Sequence, residues 1–331
     1  MKHKGIGVLA PLALATVAAL GFGQVAQAAP AVQGETQLVT VDQYGELYHT
    51  IRHADGSWQK MGVIPGYGQV NALASAMVGG EENVIVEFQT GTQKVPDIQA
   101  ARLVRHADGT WNFNASLPEI PMNPGALSLV NVNGRLNLVS LTSTGPMVAE
   151  LGADGTWSAF SNVPGPGHMR SVAAVANGSS LRVVELYGDG RTVGVVDRTA
   201  TGWSTINTTL ANTDDRNVDT QVAAAQIGDT LQVGVVLDSA TDTQAVPWID
   251  HATMDKSGNW SGFAGLPTVW GRAFQVSMTA ANGEMQLAYT TETGALYHTI
   301  RHADGTWQEP GFVPEVTGGG SVTGPVTIAG E

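Results

Sequence analysis

The feature of this sequence that most constrains its fold is a repeat of about 50 residues. Two 15-residue stretches near opposite ends of the chain, 45–59 and 294–308, are identical at all but two positions. Both contain the pattern Asp-Gly-x-Trp, and complete or partial copies of it mark six tryptophans: Trp58, Trp111, Trp157, Trp203, Trp260 and Trp307. Their spacings are 53, 46, 46, 57 and 47 residues. Such a period is typical of a β-propeller, in which each repeat forms one four-stranded blade.

Within each period, short alternating stretches of apolar and polar residues are separated by turns that contain glycine. The third repeat shows this in LSLVNV at 127–132, the pair Asn133-Gly134, and LNLVSL at 136–141. Alternation with a period of two predicts β-strands. We also expect the Asp-Gly pairs to form two-residue hairpin turns in which both residues have positive φ. Since no amphipathic-helix pattern follows the first thirty residues, the sequence predicts an all-β fold.

The two ends of the chain contain complementary parts of one repeat. The last complete repeat runs from 275 to 307, and the tail 322–331 resembles its first strand. The N-terminal region from Gly34 supplies the other three strands. We therefore predict a six-bladed β-propeller with four antiparallel strands per blade, in which N- and C-terminal strands together close one blade. A two-domain arrangement or a β-sandwich is the alternative, but neither accounts for an even period with complementary ends.

Residues 1–28 have the features of a cleaved secretory signal peptide. Lys2 and Lys4 precede an apolar run, and Ala26-Gln27-Ala28 forms a small-residue cleavage pattern. We expect cleavage after Ala28, which leaves 29–331 as a single secreted, extracellular domain. The chain contains no cysteine, which excludes disulfides, thiolate catalysis and a lipidated cysteine, so we expect no membrane anchor.

The charge of the chain argues against nucleic acid as a partner. The sequence has 16 Lys and Arg against 29 Asp and Glu, a net charge of −13. Loss of Lys2 and Lys4 with the signal peptide would bring the net charge to −15. A surface of this sign repels phosphate backbones.

The third strand of several repeats carries a shared set of polar and aromatic residues. The stretches 48–53 and 297–302 both read Tyr-His-x-x-Arg-His, and the second repeat keeps Arg-His at 105–106. Arginine offers a planar fork of donors, histidine donates or accepts, and a tyrosine ring packs on a sugar face. Alternatively, these residues are shared only because the blades arose by duplication. The candidate ligand-binding residues are Tyr48, His49, Arg52, His53, Arg105, His106, Tyr297, His298, Arg301 and His302.

The position of this set predicts where a ligand would bind. Alternation places Tyr48 and Arg52 on one strand face and His49 and His53 on the other, so no single pocket holds all four. Because the first and last repeats adjoin in a closed ring, we expect pockets to cluster around the blade built from both ends. Counting back six residues from each tryptophan, without gaps, aligns these arginines with Leu151 and Asp197, so the third and fourth repeats lack most of the set.

The repeat resembles the blade motif of bacterial and fungal propeller lectins, the fucose-specific lectin-like and PLL-type families. The resemblance rests on Leu47-Tyr48-His49 followed by Asp55-Gly56-Ser57-Trp58-Gln59. It implies pockets between blades that bind monosaccharides such as fucose.

We therefore predict a non-catalytic, lectin-like protein whose partner is a glycan or another small carbohydrate. The alternatives are an extracellular glycoside hydrolase or lyase with a propeller fold, and a protein-binding scaffold. Four carboxylates, Glu119, Glu185, Asp219 and Glu284, are available for catalysis, but no pair stands out. No serine elbow, metal-spaced histidine pair or phosphate loop occurs, so we expect no cofactor and no metal. The sequence does not predict the oligomeric state.

Overall fold

The computed structural model describes residues 34–92, 95–121, 126–204, 208–211, 218–238, 249–313, 321–322 and 324–330, and these ranges contain strands but no helix. No helix capable of crossing a membrane is therefore found in them. The strands form six antiparallel sheets, which are the blades of a six-bladed propeller, as the repeat predicts. The predicted signal peptide lies outside the described residues.

We name the blades in chain order, starting with the split blade, which both ends of the chain build. The split blade consists of β25 (Val326–Gly330), β1 (Thr36–Val41), β2 (Leu47–Arg52) and β3 (Gly62–Ile64). The second blade consists of β4 (Val70–Val78), β5 (Glu81–Thr92), β6 (Val95–Arg105) and β7 (Trp111–Ala115). The third consists of β8 (Leu127–Val132), β9 (Arg135–Thr142), β10 (Gly145–Glu150) and β11 (Ser161–Asn162).

The remaining three blades follow the same order from the inner to the outer strand. The fourth blade consists of β12 (Met169–Asn177), β13 (Ser180–Tyr187), β14 (Thr192–Thr199) and an outer strand in two pieces, β15 (Gly202–Trp203) and β16 (Thr208–Ala211). The fifth consists of β17 (Val218–Ile227), β18 (Thr230–Asp238), β19 (Ile249–Met254) and β20 (Ala264–Gly265). The last blade consists of β21 (Ala273–Ala281), β22 (Glu284–Thr291), β23 (Leu296–Arg301) and β24 (Gly311–Phe312).

The split blade confirms the predicted closure. Strand β25 from the C-terminal tail pairs antiparallel with β1, in a register that sets Thr36 opposite Gly330 and Thr40 opposite Val326. It is the inner strand of this blade, while β1, β2 and β3 come from the N-terminal region. Closure by both ends leaves no unpaired inner edge at the seam of the ring.

Most strands are buried on both faces because each blade is packed between two others. Strand β1, for example, is buried at every position. Six apolar clusters fill the six junctions between neighbouring blades, one cluster at each junction. Each of the six repeat tryptophans packs against the cluster that joins its own blade to the preceding one. The tryptophans therefore fill the space between blades, as a large apolar ring is suited to do.

The inner strands are linked around the whole ring by hydrogen bonds that involve side chains. At the seam, the backbone N–H of Ile328 donates to Oγ of Ser277 at 3.2 Å. Equivalent bonds at the other five junctions are Ser75–Thr327, Asn131–Met77, Ala174–Ser128, Val222–Ser171 and Val276–Gln221. Small polar residues on the inner strands thus satisfy polar groups along the channel and fix the register of adjacent blades.

The hairpin turns differ from the prediction in one respect. In the split blade, Gly56 has φ of +88° and its N–H donates to the carbonyl of His53, while Asp55 does not have positive φ. The side chain of Asp55 instead accepts hydrogen bonds from the backbone N–H and hydroxyl of Ser57. This is a type I turn followed by a glycine bulge, which needs positive φ only at glycine. The expectation of positive φ at both residues was wrong here, although Asn133-Gly134 meets it.

Candidate functional site

The predicted polar set divides into a buried part within the third strands and a more exposed part at their ends. Tyr48 is 4% exposed and packs against the last blade, and its hydroxyl donates to Glu46 at 3.0 Å. Burial raises the pKa of Tyr48 to about 12. Tyr297, its counterpart, is stacked on Tyr289 with ring centroids 5.4 Å apart. Both tyrosines therefore contribute mainly to packing between blades.

Buried histidines on the third strands form a recurring contact with a glutamine and a tryptophan. In the last blade, Nε2–H of His298 donates to the amide oxygen of Gln286 at 2.8 Å. Trp58 of the split blade meets the same imidazole edge-on, with centroids 5.3 Å apart. The same arrangement joins His49 with Gln37 and Trp111, and His251 with Gln232 and Trp307. We call this three-residue contact the imidazole–amide–indole unit.

The imidazole–amide–indole unit crosses three of the six junctions, and an arginine replaces the imidazole at a fourth. Arg102 of the second blade donates to the side-chain oxygen of Asn83 and lies 6.0 Å from the ring centroid of Trp157 in the third blade. At the two remaining junctions an apolar residue takes this position: Val148 packs with Trp203 and Val195 with Trp260. The position serves contact between blades whichever residue occupies it.

Two of these histidines are held in the neutral state by burial. Desolvation and, to a smaller extent, the nearby charge of Arg52 lower the pKa of His298 to about 3. Desolvation and the charge of Arg301 likewise lower the pKa of His251 to about 3. A neutral imidazole in an apolar junction needs no counter-ion, which suits a residue that joins two blades.

The last histidine of each polar set lies at the surface and is bound to a glutamate. Nδ1–H of His53 donates to Glu35, and that of His302 donates to Glu284, in both cases at 2.7 Å. His106 makes the same contact with Glu81 in the second blade. The side chains of these three histidines are between 36% and 39% exposed. These three histidines are therefore partly accessible to a ligand.

The arginines of the set point back towards the preceding blade. The charge of Arg52 interacts with that of Glu284 in the last blade and contributes to the lowered pKa of His298. Arg301 is placed in the same way beside His251 of the fifth blade. Arg105 is 1% exposed and interacts with Glu82 of its own blade and Glu35 of the split blade. A band of alternating charges therefore runs across both junctions of the split blade.

The junction between the split and second blades holds a cluster of buried polar side chains. Nε2 of His49, already bonded to Gln37, lies 3.3 Å from a carboxylate oxygen of Glu82, which is fully buried. The charge of Arg105 interacts with this carboxylate, but both carboxylate oxygens of Glu82 and Nη2 of Arg105 are buried without a hydrogen-bond partner among the described residues. Buried polar atoms that lack a hydrogen bond are costly to the fold. His49 and Arg105 therefore lie in a buried polar cluster that is only partly satisfied.

The structure corrects the sequence alignment in the fourth blade. Its hairpin turn is one residue shorter, so that Arg198 pairs with Trp203 as Arg52 pairs with Trp58 and Arg301 with Trp307. Arg198, and not Asp197, is therefore the equivalent of Arg52. Like the other arginines it reaches the preceding blade, where it donates to Glu150 at 3.2 Å. The fourth blade therefore has an arginine at the position of Arg52, although the sequence alignment without gaps placed Asp197 there.

The four candidate catalytic carboxylates belong to different blades or to the connections between them. Glu185 is fully buried, and burial raises its pKa to about 8. Glu284 is bound to His302, and Glu119 is exposed in the connection between β7 and β8. The side chain of Asp219 lies outside the described residues.

An open cavity lies between the fifth and last blades, and the sequence analysis did not identify it. It has a volume of about 330 Å³ and is lined by Leu266, Pro267, Thr268, Thr299, Trp307, Gln308 and Glu309. Trp307 thus takes part both in the unit with His251 and in the wall of this cavity. One part of its wall, Leu266-Pro267, belongs to a repeated sequence pattern that the search for polar residues passed over. An apolar residue followed by proline comes after the tryptophan in five repeats, at 64–65, 117–118, 163–164, 266–267 and 313–314.

Solved structures with this arrangement of blades include lectins. A lectin from Aleuria aurantia, in complex with Fucα1-6GlcNAc, matches with a TM-score of 0.61 and 15% identity over 86% of this chain and 94% of that chain. A lectin from Burkholderia pseudomallei matches with a TM-score of 0.55 and 16% identity over 86% and 82%. The protein YjhT matches with a TM-score of 0.59 and 13% identity over 86% and 96%. No known family and no curated protein matches the sequence.

These likenesses confirm the resemblance to fucose-specific propeller lectins at the level of the fold. At such low identity they do not transfer a binding residue to this chain. The ten predicted ligand-binding residues therefore remain predictions. The structure places Tyr48, His49, Arg105 and His298 in the interior, while His53, His106 and His302 are partly exposed.

Proposed function

We propose that this protein is an exported, non-catalytic, lectin-like protein that binds carbohydrate between adjacent blades. The observation that carries the proposal is the cavity between the fifth and last blades. Trp307, Thr268, Gln308 and Glu309 are among the residues that line it. An aromatic wall with a few hydrogen-bonding groups is the combination that sugar recognition requires. The lectins among the solved neighbours support the same class of ligand.

The charged band at the split blade is the second part of this proposal. Arg52 and Arg301 carry their guanidinium groups to the junctions with the preceding blades, near the surface pairs His53–Glu35 and His302–Glu284. Guanidinium and carboxylate groups bind pairs of sugar hydroxyls in a bidentate manner. We expect these exposed ends of the polar sets, rather than their buried histidines, to reach a ligand.

A glycan array probed with residues 29–331 tests the proposal, followed by titration of the best neutral sugar against Glu309→Gln. We expect about a tenfold loss of affinity, because a hydrogen bond to a charged group contributes about 1.5 kcal/mol or more. Asp229→Asn is the matched control, since Asp229 is 77% exposed and lies on the β17–β18 turn.

Three outcomes would contradict the proposal in different ways. Release of products from a polysaccharide would identify a glycoside hydrolase or lyase. Silence on the array together with absence of turnover would favour a protein-binding scaffold. Equal affinities of the Glu309 and Asp229 variants would place the sugar elsewhere than in this cavity.

A further inference from the structure

The central channel widens at the end where the inner strands begin. A chamber of about 510 Å³ is lined there by the first residues of all six inner strands. A smaller chamber of about 270 Å³ lies at the opposite end, and Leu129 and Met278 belong to the walls of both. The larger chamber is within the range of volumes typical of small-molecule sites, about 300 to 1,000 Å³. We call it the wide chamber.

Four of the inner strands carry a β-bulge at the same level, beside the wide chamber. In β12, Met169 pairs with Tyr187 and Ser171 with Leu186, so that Arg170 is an extra residue without a counterpart. The strands β4, β17 and β21 are interrupted in the same way, and their extra residues are Asn71, Thr220 and Phe274. All four extra residues line the wide chamber.

The bulges change which side chains face the channel. Arg170, Asn71, Thr220 and Phe274 are exposed, whereas the residues immediately before three of them are buried. Those residues, Val70, Met169 and Ala273, are between 5% and 8% exposed. A bulge inserts one residue and re-aims a side chain, and it is often found beside functional sites. Here the same irregularity recurs in four blades and gives four different side chains to one chamber.

The four side chains form a set suited to a sugar. The ring of Phe274 is 52% exposed and offers an apolar surface for the face of a pyranose. Asn71 and Thr220 supply an amide and a hydroxyl, which donate to and accept from sugar hydroxyls. Arg170 supplies a guanidinium group, whose Nε donates to the carbonyl of Gly188 at 3.1 Å. That bond and the charge of Asp189 anchor the Arg170 side chain to the turn between β13 and β14.

The charge of the chamber distinguishes it from the rest of the surface. Among the residues that the structure describes, the charged ones in its wall are Arg170, Arg272 and Glu292, of which Arg272 and Glu292 are 3.5 Å apart. Their sum is positive in a chain whose net charge is −13. Glu292 lies beside Arg272, and Asp189, which is not part of the wall, interacts with Arg170. The wall itself still has one guanidinium group more than it has carboxylates, which favours an anion. The planar guanidinium group forms two parallel hydrogen bonds with a carboxylate, as it does with a phosphate.

We propose that the wide chamber is a second binding site, and that it takes a carboxylate-bearing sugar, such as a uronic or sialic acid residue. In this arrangement Arg170 binds the carboxylate, Phe274 contacts the face of the ring, and Asn71 and Thr220 bind hydroxyls. The inference goes beyond the proposed function, because it concerns another part of the ring and a charged class of ligand.

Calorimetric titration of the mature chain with D-galacturonate, N-acetylneuraminate and D-galactose tests this assignment. We expect binding of at least one of the two acids, and for that acid an affinity at least fivefold higher than for galactose. Arg170→Gln should remove this preference. Phe274→Ala should weaken the binding of the acid by a similar factor. The two acids distinguish a uronic from a sialic acid ligand.

Matched controls separate this site from general effects. Phe312→Ala removes another exposed aromatic ring of the last blade, and Arg135→Gln removes another surface guanidinium; neither residue lines the chamber. Both should leave the affinity for the acid unchanged. Failure of both acids to bind, or equal binding of the bound acid and galactose, would overturn the inference. A loss of binding in Glu309→Gln but not in Arg170→Gln would leave only the site between the blades.

Discussion

At the scale of single residues, the buried histidines show how one side chain joins two blades. His298 is hydrogen-bonded to Gln286 within its own blade and touches Trp58 of the next one. Its polar atom is satisfied locally while its ring edge packs against an indole. A residue type that often serves binding here serves the contact between repeats.

The depressed pKa of His298 predicts a loss of stability in mild acid. The unfolded chain takes up a proton near pH 6.5, whereas the folded protein resists it down to about pH 3. Stability should therefore be complete above pH 6.5 and fall as the pH is lowered through this window. At pH 4.5 the loss from His298 amounts to about 3 kcal/mol, at about 1.4 kcal/mol per pH unit.

Thermal unfolding of His298→Phe between pH 7.5 and 4.5 tests this prediction. Phenylalanine keeps a ring in the junction but cannot titrate, so the melting temperature should depend less on pH than that of the unmodified protein. His168→Gln, which changes an exposed histidine, should leave the pH dependence as it is. Parallel curves for His298→Phe and the unmodified protein would mean that His298 is not the titrating group.

The sequence predicted which residues belong to the polar set but not which of them are accessible. Tyr48 and His49 are adjacent, and alternation correctly sends them to opposite faces, Tyr48 towards the last blade and His49 towards the second. Both faces are buried, however, because each is covered by another blade. The exposure of a residue depends on how far it lies from the solvent-exposed edge of the interface between two blades. The sequence of one strand does not indicate that distance.

At the scale of elements, the third strand combines an interior that joins blades with an exposed end that carries charge. This division decides what substitutions should do. Arg52 and Arg301 are partly exposed, whereas Leu151, at the equivalent position of the third blade, packs against the cluster that joins the second and third blades. The same position is therefore polar in some blades and part of the apolar packing in others.

We expect Arg52→Ala and Arg301→Ala to weaken sugar binding several-fold and to change the free energy of unfolding by less than about 1 kcal/mol. Leu151→Ala should leave binding unchanged and cost about 2 kcal/mol, the low end for leucine because the side chain is only partly buried. Titration with the best array ligand and chemical denaturation measure the two effects. If both arginine variants bind normally, or unfold as readily as the leucine variant, the polar strand has an architectural role alone.

The β-bulges of the inner strands and the shorter turn of the fourth blade could not be predicted from the sequence. The bulges at Arg170 and Phe274 are visible only in the pairing of the inner strand with the second strand of its blade. In each bulge, one residue of the inner strand has no partner on the second strand. The shorter turn before Trp203 escaped an alignment without gaps for the same reason. Period and alternation identify strands, whereas pairing decides the positions at which they slip.

At the scale of the whole molecule, the number of blades and the closure were predictable because both follow from the repeat. A ring requires that the units be equivalent, so an incomplete unit at one end of the chain must be completed by the other. The structure confirms this with the pairing of β25 and β1, and the hydrogen bond from Ile328 to Ser277 continues the ring across the seam. The ends of the chain are therefore structural members of the fold.

Deletion of 322–331 should consequently prevent the protein from folding. It removes β25, which contributes Val326 and Ile328 to the cluster between the last and split blades and forms part of the channel wall. It also exposes an edge of β1 inside the ring, where unpaired backbone groups are costly. Circular dichroism in the near ultraviolet and a thermal melt measure the result, and a retained cooperative transition would contradict the closure.

A permuted chain distinguishes loss of this strand from loss of a C-terminus. Since Gly330 lies opposite Thr36, strand β25 ends where β1 begins, and the two can be joined by a short turn without changing their register. Moving 322–331 to a position directly before Gly34 should therefore restore the cooperative melt that the deletion abolishes. The strand would then close the ring as part of an ordinary hairpin. If the permuted chain stays unfolded while the unmodified protein melts cooperatively, the attachment of β25 to the C-terminal side of the last blade is required for folding, and its pairing with β1 is not sufficient.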